Sequence, residues 1–398
     1  MAKLSTRKRG KTWYYSFEAG ATPDGKRKRF EKGGFASEKE ARNEGTKAMA
    51  SFLNGSLAII SKKITVQDFL TEWLERKAME VKPKTLDNYQ GICKRVLPVI
   101  GKKNVQELRP RDIDSMMRQL AKEGLSHGTL SITLGMLKDA LAYAVYPAEL
   151  IQSNPAQYIK IPRNAPKNII KRHVIRKDKL SELLEAFPFG HPCHMPILIA
   201  YQTGMRLGEV LGLAWDCIDQ ENGEIAVKRQ IVYTPERGHY FSTPKTASSV
   251  RTIRISKELL SLLKRWKSLQ AENEVCHGKA YIYVYEASDS RLWQMHKQAV
   301  PNKGMVRRPL VCTQEDGKVV ARTSITIALC SHGTNFHSLR HTHATICAEN
   351  GAPAKGIAGR LGHKNTAITE NLYTHETEQM QERTLDAFEK NLTENHVS

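Results

Sequence analysis

The amino-acid sequence predicts a multidomain fold in three parts: a small α+β domain, an all-α bundle, and a larger domain that mixes helices with strands. Three observations support this. The 398 residues exceed the usual span of one domain. The apolar pattern changes twice along the chain, from strand-like segments to helical stripes and then to a mixture of both. The composition, 40% hydrophobic and 26% charged, is that of a soluble globular protein with enough apolar material for a core in each part. The expected boundaries are 1–62, 63–160 and 173–398, with a basic linker over 161–172.

The first part opens with TWYYSFEA (12–19), whose aromatic content suits a strand. A Pro-Asp-Gly turn at 23–25 leads into a second strand through Phe35. SEKE (37–40) then matches a capping box, with Ser37 accepting from the backbone and Glu40 reaching back. Ala41, Ala48, Met49 and Phe52 follow at helical spacing, so one helix is expected on a small sheet. Residues 1–60 hold 13 Lys and Arg against 6 Asp and Glu. Lys26, Arg27, Lys28 and Arg29 fall on the second strand and point alternately to its two faces, so some face away from the helix. A two-stranded ribbon is thin enough to enter a major groove. The plainer alternative is a solvated basic hairpin.

The second part reads as four helices with short connections, a compact bundle. Val66, Phe69, Leu70, Trp73 and Leu74 share one stripe. Pro83 can open the next helix, with Leu86, Tyr89, Ile92 and Val96 inward, and Pro110 a third. Leu130, Leu134, Leu137 and Leu141 carry a fourth from Ser126. SNPAQ (153–157) ends the bundle. KIPRNAPKNIIKR (160–172) has two prolines, five basic residues and no acid, which suits a linker along a phosphate backbone. In the third part, helices are expected at 177–187 and 194–203. Strands are expected at EIAVKRQIVY (224–233), SVRTIRIS (249–256) and YIYVY (281–285), with a hairpin through Asp316-Gly317 and helices again from about 337.

Charge narrows the function. A net charge of +20 creates a field that attracts phosphates, so nucleic acid is the expected partner. The seven cysteines are odd in number and form no CxxC pair, which indicates neither a zinc ribbon nor a disulfide framework. The basic start MAKLSTRKRGK is followed by no apolar stretch, and no run of about 18 apolar residues occurs, so no secretory leader and no membrane association are expected. No GxxxxGK[ST] is present. His337 and His341 have zinc-helix spacing, but the stretch reads HSLRH rather than HExxH, and no acidic cluster suits two-metal catalysis. Neither metal nor cofactor is expected.

Several residues of the third part stand where chemistry is feasible. Arg206 follows a Thr-Gly break at which a helix can start. Lys245 sits in a Pro-Lys-Thr turn before a strand. His337 and Arg340 share a helix face at i, i+3. His363 follows a glycine in LGHKN, and Tyr373 comes last. Glu209, one turn after Arg206, either orients that guanidinium or is a solvated surface carboxylate. His341 and His343 read as structural. Each piece alone is commonplace; their order is the signal.

That order, carried by TGMRLGEVLGLAWDCID, HSLRHTHAT and LGHKNTAITENLYTH, resembles the tyrosine site-specific recombinases, the phage and transposon integrases. The whole chain looks most similar to integrases of conjugative transposons and related phages. Two departures are His343, where the family often has an apolar residue, and the stretch of about 90 residues from Lys245 to His337, longer than in compact members. The resemblance implies a three-stranded sheet with a helix that binds arm-type DNA, a helical core-binding domain and a mixed, mainly-α catalytic domain. It implies that Tyr373 is a nucleophile forming a covalent 3′-phosphotyrosine. Arg206, Arg340 and His363 would stabilise the phosphoryl charge, His337 would accept the phenolic proton, and Lys245 would protonate the leaving 5′-oxygen.

The partners implied are double-stranded DNA at core and arm attachment sites, a homotetramer on two duplexes, and an accessory DNA-bending or excision protein. The location implied is the bacterial cytoplasm, on the nucleoid when bound. A catalytically inactive DNA-binding regulator and a type IB topoisomerase-like relaxing enzyme are the alternatives. Residues 376–398, with Leu385, Phe388 and Leu392 on one stripe, are expected to pack onto a neighbouring subunit, the alternative being their own domain.

Overall fold

The computed structural model describes residues 4–21, 27–53, 63–167, 174–243 and 250–363, and the chain divides into two compact units, 1–169 and 170–398. Lys26, Lys245, Tyr373 and the 376–398 tail therefore lie outside the described residues.

The first unit begins with an antiparallel sheet of β1 (Ser5–Arg9), β2 (Thr12–Ala21) and β3 (Arg27–Phe35), in that order. Helix α1 (Glu38–Leu53) packs on one face over Tyr15 and Phe17, both buried. Gly45 permits the close approach: a Cβ there would lie 2.9 Å from the Tyr15 ring. The start of α1 is capped much as expected: Glu40 N–H donates to Ser37 Oγ at 3.2 Å, while the Glu40 side chain reaches back one residue further than in a capping box and accepts from Ala36 N–H at 3.1 Å.

The same unit holds four helices, α2 (Val66–Glu80), α3 (Pro83–Ile100), α4 (Pro110–Lys122) and α5 (His127–Val145). Their starts are chemically marked. Thr65 and Ser126 accept from the backbone of Asp68 and Thr129, and proline stands at the first position of α3 and α4, where the missing N–H costs nothing. The stripes read from the sequence meet in one apolar core around Phe69, Trp73, Val96, Met116 and Leu137. The described part of the basic stretch stays on this bundle: Ala165 is buried in its core and Pro166 O accepts from His127 N–H at 2.8 Å.

The second unit is built around α7 (His194–Thr203), buried from His194 through Ala200. Helix α6 (Lys177–Ala186) precedes it, and the short α8 (Leu207–Leu211) follows. A sheet of β4 (Ile218–Asp219), β5 (Glu224–Val227) and β8 (Arg251–Arg254) lies beside a hairpin of β6 (Gln230–Thr234) and β7 (Gly238–Ser242). The 21-residue α9 (Lys257–His277) leads to β9 (Ile282–Glu286), β10 (Leu292–His296) and β11 (Val306–Arg307). Helices α10 (Arg322–Ser331), α11 (Phe336–Glu349) and α12 (Ala354–Leu361) close the described chain, and α11 packs on α7.

Several expectations change here. EIAVKRQIVY is two strands in different sheets, because Arg229 turns inward to pair with Asp216 and stack on Phe241. The Asp316-Gly317 hairpin is minimal, one antiparallel bridge from Thr313 to Val319 with Gln314 N–H donating to Lys318 O at 2.8 Å, and Asp316 O accepts from Ile282 N–H. Helices resume at 322 rather than 337. The sequence reading did not anticipate α9, whose sparse apolar stripe is fixed by burial of Leu259, Leu263 and Trp266 and by a bond from Trp266 Nε1 to Val311 O at 2.7 Å. Among the described residues no helix is long and apolar enough to cross a membrane.

Candidate active site

Helix α7 ends on Gly204 at φ 69°, a left-handed cap that reverses the chain in two residues. A Cβ at this position would also lie 2.5 Å from Leu361 Cδ2, so glycine is required twice over. The reversal makes Arg206 the N-cap of α8. Its backbone N–H donates to Glu209 Oε2 at 3.0 Å and its Nη1 to Glu209 Oε1 at 2.8 Å. Of the two readings of Glu209, the solvated one is excluded: the residue is 2% exposed. Burial alone would raise its pKa. The hydrogen bond and charge of Arg251, then those of Arg206, outweigh this and hold the carboxyl below its usual value.

Arg340, one turn into α11, is 3% exposed. Its Nη1 donates to Gly204 O and its Nη2 to Leu361 O, both at 2.7 Å. Burial, then the charges of Arg206 and Arg251, lowers its pKa to about 9 against the opposite pull of Glu209, so it remains a cation at neutral pH.

The end of α12 ties these groups together. The last carbonyls of a helix have no partner within it and carry the negative end of its dipole. Here three consecutive ones accept from three guanidinium groups: Arg360 O from Arg251 Nε at 2.7 Å, Leu361 O from Arg340, and Gly362 O from Arg206 Nη2 at 3.4 Å. The next residue is His363. Burial, followed by the charges of Arg340, Arg206, Arg251 and His337, lowers its pKa to about 4, so it is a neutral imidazole carrying one N–H.

Arg206, Arg340 and His363, distant in sequence, are thus gathered in one place. His337 is on α11 one turn before Arg340, exposed, with its ring 4.6 Å from that of His341. His343 has a structural role, bonding Tyr201 O at 3.0 Å through Nδ1 and accepting Arg360 Nε at 2.9 Å through Nε2. Burial and Arg360 lower its pKa to about 4, consistent with that acceptor role. Among the described residues no group of three or more His, Cys, Asp or Glu is arranged to hold a metal ion.

Sequence reasoning missed Arg251 and Arg360. Arg251 has a readable signal: on a strand it is in phase with Ile253, which is buried, so it points inward rather than to solvent. In the first unit, Arg27 and Lys28 lie on β3. Arg29 is exposed and donates to Ser16 Oγ at 2.9 Å, on the sheet face away from α1.

Comparison with known proteins accords with this geometry. The profile of the phage integrase family matches residues 173–380, that of the phage integrase N-terminal SAM-like domain residues 65–120, and that of an arm DNA-binding domain residues 5–51. The chain is 29% identical over 402 residues to a tyrosine recombinase XerC-like protein of Caldanaerobacter subterraneus subsp. tengcongensis, covering 92% of this chain and 93% of that one. It is 25% identical over 322 residues to the ICEBs1 integrase of Bacillus subtilis, covering 79% and 80%. The fold is shared with the Tn1549 transposon integrase solved with circular intermediate DNA (TM-score 0.63, 19% identity, 82% of this chain and 99% of that one). It is also shared with the lambda integrase tetramer solved on a Holliday junction (TM-score 0.53, 17% identity, 93% and 94%).

Proposed function

The chain belongs to the phage integrase family of tyrosine site-specific recombinases, and on that premise we propose that Tyr373 cleaves DNA inside the cationic cluster and remains joined to it. Displacement at a phosphodiester places negative charge on the phosphoryl oxygens, and fixed donors in a shielded site stabilise that charge. Arg206 and Arg340 present planar forks suited to phosphate. His363 adds a neutral N–H. Tyr373 attacks as nucleophile, His337 takes the phenolic proton, and Lys245 protonates the departing 5′-oxygen. A phenol with a free pKa near 10 attacks poorly at neutral pH, and a cationic surrounding favours its phenolate. The phosphotyrosine bond conserves the energy of the broken linkage, so a 5′-hydroxyl can rejoin the strand without a nucleotide.

The observation that carries this reading is the convergence of Arg206 and Arg340 on the carbonyl end of α12, beside His363. The chain after His363 leads within ten residues to Tyr373. For the rest of the molecule, the reading divides the chain into an arm-binding domain (1–62), a core-binding domain (63–160), a linker (161–172) and a catalytic domain (173–398). Lys26, Arg27, Lys28 and Arg29 contact arm sites on double-stranded DNA. The protein works as a homotetramer, as in the lambda integrase assembly on a Holliday junction, with the 376–398 tail on a neighbour. An accessory bending or excision protein sets the direction.

A nicked suicide duplex carrying the attachment sequence that flanks the gene tests this. The wild-type protein traps a covalent adduct, and Tyr373→Phe binds the same duplex without forming one. Binding without any adduct from the wild type would make the protein a regulator. Relaxation of supercoiled plasmid lacking the site would make it a topoisomerase.

A further inference from the structure

We propose that Arg251 is a positioning residue for strand cleavage: from inside the protein it aims Glu209 at Arg206 and fixes the end of α12 that presents His363. The inference rests on the catalytic reading above and extends it to a residue outside that set.

Two cations share Glu209, and their surroundings differ. The Arg206 side chain is 38% exposed, whereas that of Arg251 is 6% exposed. The outer guanidinium is open to a phosphate; the inner one is enclosed by protein. Arg251 therefore acts through its neighbours. Its Nη2 donates to Glu209 Oε2 at 2.9 Å, the oxygen that also accepts the Arg206 backbone N–H, while Oε1 receives Arg206 Nη1. Both carboxylate oxygens are thus engaged, and Glu209 Oε1 is held against Arg206 Nη1. The balance of charge favours the same role. Glu209 paired with Arg206 alone would cancel the positive charge that a phosphate needs. A second guanidinium on the same carboxylate restores it, and Arg340 adds to it.

The other arm of Arg251 reaches α12. Its Nε donates to Arg360 O at 2.7 Å, and the Arg360 side chain returns the contact by donating through Nη1 to Arg254 O at 2.9 Å. Strand β8 and helix α12 are therefore clasped reciprocally, three residues before His363. A lysine has no fork and does not span Glu209 Oε2 and Arg360 O with one nitrogen. A displacement of about 1 Å in a reacting group is enough to cost roughly 10²-fold in rate.

The test uses full-length Arg251→Gln, Arg251→Lys, Glu209→Gln and the Arg251→Gln/Glu209→Gln double variant on the nicked suicide duplex described above. Duplex affinity, thermal unfolding and the single-turnover rate of adduct formation at saturating DNA are read on the same samples. Arg251→Gln is expected to bind with wild-type affinity and cleave about 10²-fold more slowly. Arg251→Lys is expected to be similarly slow, and the double variant no slower than the slower single one, because both changes break one device. Wild-type rates in both Arg251 variants, or fully additive losses in the double variant, would overturn the proposal. So would a slowdown matched by an equal loss of folded, DNA-bound protein, which would make Arg251 a strut only. Tyr373→Phe run in parallel separates the two levels. An adduct formed by that variant defeats the catalytic reading, whereas its absence together with full-rate cleavage by the Arg251 variants defeats this inference alone.

Discussion

The helical bundle of the first unit and the catalytic part of the second bury different things. Among the described residues, the bundle encloses one fully buried polar side chain, Thr133, within a core of Phe, Trp, Leu, Ile and Met. The second unit encloses Glu209, Arg340, His194 and His343 along with several threonines. Taking a charge out of water is costly unless partners replace the water, and a buried ion pair seldom repays its desolvation in stability. An apolar core is sufficient to hold a fold, and on the proposed reading the buried guanidinium groups of the second unit serve a phosphate rather than stability. The bundle is a scaffold stabilised by area; the catalytic part is a charge arrangement stabilised by geometry.

The comparison is broken most severely at Arg340. Arg340→Ala is expected to slow adduct formation by about 10²–10³-fold. It should also destabilise the second unit by about 1–3 kcal/mol for each of the two carbonyls left without a donor. Single-turnover cleavage and denaturant unfolding on one sample read both effects. In the bundle, Trp73→Ala should cost about 3–5 kcal/mol of stability, because the side chain is fully enclosed. The cleavage rate at saturating DNA should stay at the wild-type value, so a matching drop in rate would dissolve the distinction between scaffold and site.

Acid sharpens the same contrast. His343 and His363 have folded pKa values of about 4 against an unfolded value near 6.5, so the unfolded state binds more protons between these limits. The stability contributed by keeping them neutral is complete above about pH 6.5 and is lost as pH falls toward about 4. Bundle carboxylates such as Asp112 are held below their usual pKa, chiefly by Lys103. Their contribution is present above the ordinary carboxylate range and is lost only at lower pH. Unfolding followed at pH 7 and pH 5 should therefore show the second unit weakened and the bundle little changed. The smallest effect is expected in the arm sheet. Replacing Arg27, Lys28 and Arg29 by glutamine should weaken arm-site binding and reduce its salt slope by about 1 for each phosphate no longer neutralised, with core-site cleavage intact. An unchanged slope would return that strand to a solvated hairpin.

The same contrast explains what was legible in the sequence. The bundle could be read helix by helix, because Val66, Phe69, Leu70 and Trp73 repeat at the helical period and proline or Ser/Thr marks each start. The site was legible as an order of residue types, since Arg206, Arg340 and His363 stand beside glycine breaks or in an HxxR pair. Its inner layer was not. Glu209 was legible only as one of two readings, Arg251 only through its phase with buried Ile253, which says that it points inward but not to what, and Arg360 reads as an ordinary last-turn cation. These roles depend on contacts between residues more than 40 positions apart, such as Arg251 with Glu209 and Arg360 with Gln202, and no local period records such contacts. After 257, β9 was legible as YIYVY, but β10 and β11 were missed for a related reason: they are short and held by β9 rather than by an alternation of their own.

The central claim is that one phenol, among the 13 tyrosines of the chain, is esterified to DNA within a cage of guanidinium groups. The direct measurement is peptide mapping by mass spectrometry of the adduct trapped on a suicide duplex in EDTA without nucleotide. The account predicts a single modified peptide, bearing a 3′-phosphate-linked nucleotide on Tyr373. A nucleotide on any other residue, or cleavage that requires a divalent metal and leaves no protein-bound strand, would contradict it.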